Sequence, residues 1–297
     1  MKRRSFLKAG FSLAGISVMP KQSLANISLA MMPSAEMRVD KVRLGKSGLS
    51  VSRIAMGTGT HGGNKESDFT RQGMDSFVRL AHHAYERGIR FYDTADSYGT
   101  IPYVGEAIKT LPRKKITLLT KMWTHDDGSP HLESVDDNIN RYLKEFGTDY
   151  IDILLMHCMM SGEWNKKRSH YMEGFLKAKK AGKVRAIGVS CHNIDALRVA
   201  AVEPWVDIIM ARINPFQTMM DGSPDEIKAI LGTAKKNGKG LIAMKIFGEG
   251  KNVRDDEREQ SIRFAIRESN AHCMTLGMMS IAQIDDAVQR VMKNQKS

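Results

Sequence analysis

The sequence predicts an α/β fold, a (β/α)8 TIM barrel with an N-terminal β-hairpin. Eight runs rich in β-branched and aromatic residues start near Arg53, Ile89, Ile116, Tyr150, Val184, Val206, Gly240 and Cys273. Their spacing suits strand–helix–strand units, and helical patterns fill the intervals. Ahead of them, "MRVDKVRLGKSGLSVSR" alternates in character and turns near Gly45 to Gly48, as a small hairpin would. An open doubly wound sheet is the alternative. It is disfavoured because the first strand-to-helix turn, "GTGTHGGNKESD", is long and lacks the G-x-G-x-x-G spacing.

The helices follow from periodicity and stop signals. One is expected from about Ser67 to Gly88, burying Phe77, Ala81, Ala84 and Tyr85, with His82 and His83 in structural roles. Val135, Ile139, Tyr142, Leu143 and Phe146 mark the buried face of another, which Gly147 ends. A last helix is expected over Ile281 to Met292.

Residues 1–25 stand apart from residues 26–297, the expected barrel domain. A basic start, a weakly apolar run from Ala9 to Met19 and Ser23-Leu24-Ala25 read as an export signal too short to span a bilayer. Arg3-Arg4-Ser5-Phe6-Leu7-Lys8 resembles the twin-arginine signature, whose machinery carries folded proteins. The expected location is therefore periplasmic, with a cytoplasmic protein as the alternative. No cysteine precedes Cys158, which argues against a lipid anchor, and no membrane anchor is expected. Nothing in the sequence specifies an oligomeric state.

Of the formal net charge of +12, five charges (Lys2, Arg3, Arg4, Lys8 and Lys21) fall in this leader, leaving +7. Much of the remainder sits where helices should end, at Lys177, Lys179, Lys180, Lys183, Lys235, Lys236 and Lys239, as the helix dipole favours. No aromatic residues are interleaved with these charges, so they read as solvated surface and no nucleic-acid partner is expected. Cys158, Cys191 and Cys273 have no metal-type spacing. The loop "WTHDDGSPH", Trp123 to His131, matches no zinc pattern either, and no metal site is expected.

Chemistry in such a barrel gathers at the C-terminal strand ends. The second strand ends at Asp93 with Tyr98 just beyond, the third at Thr120-Lys121 and the fourth at His157. An acid, a phenol, an ammonium group and an imidazole on three consecutive strand ends suit carbonyl reduction. A hydride arriving at carbon leaves an alkoxide, and Tyr98 can supply its proton. A free phenol titrates near 10, and bringing it to neutrality takes about 4 kcal/mol. One ammonium about 4 Å away supplies roughly that at an effective dielectric of about 20. Lys121 is thus expected to lower the Tyr98 pKa, with Asp93 holding Lys121 and His157 orienting the carbonyl. Trp123 is expected to wall the pocket, with Met159 and Met160 lining it and Met156 filling core.

These residues resemble the aldo-keto reductase superfamily across nearly the whole chain after the leader. D-T-A-x-x-Y-G is present as Asp93 to Gly99, T-K as Thr120-Lys121, D-x-x-x-x-H as Asp152 to His157, and "GKVRAIGVS" as Gly182 to Ser190. The resemblance implies a catalytic tetrad on Asp93, Tyr98, Lys121 and His157. It also implies a nicotinamide cofactor extended across the barrel mouth without a Rossmann domain. Histidine at the fourth tetrad position, where relatives that reduce carbon–carbon double bonds carry glutamate, implies a small-molecule carbonyl substrate.

The same resemblance assigns Gly59, Thr60, Ser190, Cys191, Met210 and Met244 to the cofactor. Ser190 matches a carboxamide-binding serine, whereas Cys191, Met210 and Met244 replace the usual asparagine, glutamine and aromatic ring. Lys245, Phe247, Gly248 and Gly250 are expected near the pyrophosphate, through charge and exposed amides. Gly277 and Gln283, with Met279, fall where a 2′-phosphate grip would carry basic residues. Family frequency places NADP(H) slightly ahead of NAD(H). No long C-terminal loop follows the last helix, which implies an open pocket. Two other readings compete with a reductase: a cofactor-holding binding or regulatory protein with little turnover, and a metal-dependent hydrolase.

Overall fold

The computed structural model describes residues 38–125 and 134–295; the leader and part of the loop after Trp123 lie outside them. A hairpin, β1 (Lys41–Arg43) and β2 (Ser50–Ser52), precedes eight strands: β3 (Ile54–Gly57), β4 (Phe91–Asp93), β5 (Thr117–Trp123), β6 (Ile151–Met159), β7 (Val184–Cys191), β8 (Ile208–Arg212), β9 (Gly240–Met244) and β10 (Cys273–Leu276). These eight pair in parallel and in sequence order, and β10 returns to β3 to close the barrel. The described α-helices are α1 (Asp68–Gln72), α2 (Met74–Glu86), α3 (Ile101–Ile108), α4 (Val135–Phe146), α5 (Trp164–Lys167), α6 (Ser169–Lys180), α7 (Ile194–Val202), α8 (Pro224–Lys236), α9 (Asp255–Arg267) and α10 (Ile281–Gln295). None is long and apolar enough to cross a membrane.

Side chains alternate along each strand, so every second residue enters the barrel. Ala55, Phe91, Leu119, Ile153, Leu155, Ala186, Ile208, Ile242 and Cys273 fill it. Leu44, Leu49 and Val51 of the hairpin join the same cluster. The Lys46 amide bonds the Gly238 carbonyl just ahead of β9 (2.8 Å), so the hairpin plugs the N-terminal end and leaves the opposite end for chemistry. Asp152, the acid of the D-x-x-x-x-H run, belongs to the plugged end. Its buried carboxylate accepts from Arg113, Arg185 and the Leu118 amide, fixing the start of β6.

Three expectations change. The helix over 67–88 is two helices, because Gly73 adopts φ 86° and ψ 162°, which no helix accommodates. Tyr85 is half-buried rather than buried, with Arg90 stacked over its ring at 4.8 Å. Lys239 is not solvated: it is buried, and its ammonium donates to the carbonyl oxygens of Glu203 (2.6 Å) and Val206 (2.8 Å). The helix over 135–146 is capped by Ser134 and ends at left-handed Gly147 (φ 66°).

Candidate active site

One turn above the apolar layers, the same alternation places Asp93, Lys121, His157 and Ser190 at the C-terminal ends of four adjacent strands. Asp93, Lys121 and His157 are 4%, 2% and 5% exposed, which is unusual for two charged groups and demands partners. The Lys121 ammonium donates to the Asp93 carboxylate and to the Thr94 carbonyl (2.8 Å). The second Asp93 oxygen accepts from the Thr275 hydroxyl (2.8 Å), across the seam that closes the barrel.

Tyr98 ends a 3-10 turn over Asp96–Tyr98, released by left-handed Gly99 (φ 67°). Its ring occupies space that only glycine leaves open: a Cβ on Gly59 would lie 2.4 Å from ring carbon Cε2, and one on Gly62 2.8 Å from Cδ1. The phenol oxygen lies 3.3 Å from His157 Nε2, and the Lys121 ammonium 5.0 Å from the Tyr98 ring centre. The structure thus brings the four predicted catalytic groups together. Trp123 stands perpendicular to His157 with ring centres 5.6 Å apart, at the rim of the same cup.

The electrostatics correct one expectation. Tyr98 is half-buried at the mouth. Desolvation, reinforced by the Asp93 charge, holds its pKa well above the ordinary phenol value rather than lowering it. Lys121 spends its charge largely on Asp93, so the phenol stays protonated. Burial, with the nearby Lys121 charge, keeps His157 neutral, well below the usual imidazole value. Its Nδ1 is buried with no hydrogen-bond partner.

The residues expected at a cofactor fall into two groups. Ser190 accepts the Cys158 amide (2.9 Å), supporting the left-handed residue that follows His157 (φ 61°), and keeps its own hydroxyl proton free to donate. Met244 lies at the top of the inner core and Lys245 is half-buried beside it, its ammonium on Glu249. The others are occupied or enclosed. Gly59 abuts Tyr98, and Thr60 abuts Gly277, where an added Cβ would meet the threonine hydroxyl at 2.3 Å. Met210 packs in the barrel core, and Cys191 is buried on the outward face of β7. The Gly248 and Gly250 amides are not exposed donors, because they bond the carbonyls of Lys245 (3.0 Å) and half-buried Phe247 (3.1 Å). The Gln283 side-chain oxygen accepts the Met279 amide (2.6 Å) at the start of α10. Met159 is buried, whereas Met160 is exposed.

Sequence reasoning passed over three groups. Thr275 anchors Asp93 from 182 residues away. Asp96 accepts two bonds from Arg141 (2.9 and 3.1 Å) and one from Lys65, fixing the turn that carries Tyr98. Arg212 and Asp221 form an ion pair at the end of β8. Asp96 alone left a signal, as a charged residue inside the D-T-A-x-x-Y-G motif.

A closed parallel barrel with an acid, phenol, ammonium and imidazole at its C-terminal mouth defines a class, and comparison with known proteins agrees. The aldo/keto reductase family model matches residues 53–296, and the chain belongs to that family. Its relatives include an NADH-specific methylglyoxal reductase from Escherichia coli, 28% identical over 61% of each chain. An L-galactose dehydrogenase from Arabidopsis thaliana is 26% identical over 81% of this chain and 77% of its own. The match to the first thus spans under two thirds of that protein. Among solved structures, an aldo/keto reductase from Brucella melitensis superposes with TM-score 0.63 at 22% identity, covering 87% of this chain and all of its own. The holo form of one from Bacillus halodurans does so with TM-score 0.63 at 18% identity, covering 87% and 96%. At these identities the structures establish the fold.

Buried His157 and half-buried His192 and His272 set a pH dependence of stability. His157, His192 and His272 all titrate below the ordinary imidazole value when folded, His192 at about 3. At His157 the unfolded chain takes up a proton near 6.5 while the folded chain does not. The His157 contribution to stability is therefore full above about 6.5 and falls as the pH drops, by about 1.4 kcal/mol per pH unit, with His192 and His272 adding smaller contributions of the same sign. Thermal unfolding should show a midpoint that declines from pH 7 to pH 5, and less steeply in His157→Gln. A midpoint constant over that range would contradict the burial of neutral imidazoles.

Proposed function

We propose that this protein is a nicotinamide-dependent carbonyl reductase in which Tyr98 supplies the proton. The observation that carries the reading is the phenol held protonated within 3.3 Å of a neutral imidazole, over a buried ammonium–carboxylate pair. When bound, a nicotinamide dinucleotide supplies hydride. Ser190 suits the carboxamide, because its proton is uncommitted, and Met244 and Lys245 border the same rim.

The carbonyl oxygen is received between the Tyr98 hydroxyl and His157 Nε2. A neutral His157 protonated at Nε2 donates to that oxygen and fixes its direction. As negative charge develops there, Tyr98 transfers its proton, favoured because an alkoxide is a far stronger base than a phenolate. The phenolate that results lies over the Lys121–Asp93 pair, with the ammonium 5.0 Å from the ring centre, and takes its proton back readily because burial disfavours its charge. Asp93 keeps the ammonium in place, and Thr275 keeps Asp93 in place.

The segment that the resemblance assigns to a 2′-phosphate carries no cation at Gly277, Met279 or Gln283, and the Gln283 oxygen is engaged by an amide. A missing charged contact is worth about 1.5–3 kcal/mol. We therefore infer that NAD(H) is accepted at least as well as NADP(H), as the name of the Escherichia coli relative would suggest. The substrate class is a small aldehyde or ketone. Export by the twin-arginine route, as the leader motif suggests, would deliver the folded protein to the periplasm with its nucleotide already bound.

Nucleotide oxidation, followed by absorbance with an aldehyde panel, tests the enzyme reading. NADH should serve as well as NADPH, and Tyr98→Phe should lower turnover by about 10³ while unfolding at an unchanged temperature. Equal turnover in Tyr98→Phe would remove the assigned donor, and a tenfold preference for NADPH would refute the nucleotide ordering. For export, replacing Arg3 and Arg4 together by lysine should retain the protein in the cytoplasm. Undiminished periplasmic protein would refute the twin-arginine route.

A further inference from the structure

His192 follows β7 and takes no part in the chemistry described above, yet its ring stands at the same mouth. It lies perpendicular to His157, with ring centres 6.5 Å apart. Its main chain is pinned from two sides: the amide donates to the Met159 carbonyl (2.9 Å), and the carbonyl accepts from Arg212 (3.0 Å). Arg212 is itself gripped by Asp221. The main chain that carries the ring is therefore fixed by the barrel.

What the ring nitrogens lack is a good partner. Their one hydrogen-bonding neighbour among the described residues is the Cys158 thiol, 3.6 Å from each. A thiol is a weak donor and a weak acceptor. A neutral imidazole offers one N–H and one lone pair, and a largely enclosed one is costly to leave so poorly satisfied. The two sides of His157 differ in kind. Trp123, at the end of β5, presents an indole face. His192, beyond β7, presents a donor and an acceptor. His125, stacked on Trp123 with ring centres 4.6 Å apart, has its Nε2 on the His157 carbonyl (3.0 Å), which leaves Nδ1 as its one further polar atom.

We propose that His192 is a specificity-determining residue that hydrogen-bonds an oxygen on the carbon next to the reacting carbonyl. The enzyme then selects α-oxygenated aldehydes and ketones over plain ones. This rests on the reductase reading, which places the reacting oxygen between Tyr98 and His157. With that oxygen fixed, a substituent on the neighbouring carbon turns toward either Trp123 or His192. A hydroxyl or second carbonyl finds its partner at His192, and an alkyl group finds none there. Because one ring carries both a donor and an acceptor, a hydroxyl and a ketone oxygen are both served.

Glycolaldehyde and propanal test this, because they have nearly the same shape and differ by a hydroxyl in place of a methyl. The measured quantity is the ratio of their kcat/KM values with one nucleotide, compared between wild type and variants so that intrinsic reactivity cancels. In His192→Phe the ratio should fall about tenfold, with propanal changed less than about threefold. His192→Asn, which keeps a donor and an acceptor, should recover part of the preference. If His192→Phe does not fold, His192→Ala is read in the same way. An unchanged ratio in an active variant, or a parallel loss of both substrates, overturns the proposal and leaves the reductase reading intact. Wild-type protein that reduces neither aldehyde overturns both.

Discussion

The site depends on one interaction, the ion pair between Lys121 and Asp93 near the floor of the barrel mouth. Taking two charges out of water is expensive, and their attraction offsets the cost only when the remaining bonding capacity is met. Here it is met from both sides, by the Thr94 carbonyl on the lysine and the Thr275 hydroxyl on the aspartate. The pair stands on buried apolar layers that include the hairpin residues Leu44, Leu49 and Val51 at the far end. Losing either partner would leave a charge buried without compensation, a defect worth about 3–5 kcal/mol. The closed sheet is what permits the arrangement, since Asp93, Lys121 and Thr275 come from β4, β5 and β10.

Because the pair is nearly neutral as a unit, it does not make the tyrosine above it a strong acid. Desolvation dominates, and the phenol keeps its proton. A reductase needs that form at rest, since a phenolate has nothing to donate. Position therefore matters more than acidity, and position is heavily determined. Gly59 and Gly62 leave room for the ring, and Asp96 ties its turn to Arg141 on α4 and to Lys65 in the loop after β3. Such preorganisation is valuable, because misplacing a catalytic group by about 1 Å can cost a hundredfold in rate.

The eight strands and the tetrad were legible because both are written locally. Strand starts follow short β-branched runs, and the four candidate catalytic groups sit at the ends of three consecutive runs. What escaped is long-range or depends on burial. Thr275 meets Asp93 only when the barrel closes. The break at Gly73 hides in a helical pattern, since glycine within a helix reads as a small penalty rather than as a stop. Gly59 leaves room for the Tyr98 ring, a role visible only once that ring is placed. The direction of the Tyr98 shift was misjudged for the same reason: Lys121 can be seen in the sequence, whereas the shell that desolvates the phenol cannot.

The most direct test of this account is an ultraviolet titration of the phenolate, comparing the wild-type protein with Tyr98→Phe. With Tyr98 neutral over a charge-compensated pair, the two proteins should give superimposable phenolate absorbance up to about pH 10, the free phenol value. An ionisation between pH 7 and pH 9 that is present in the wild type and missing in Tyr98→Phe would contradict it. Lys121 would then be acting on the phenol as an uncompensated charge.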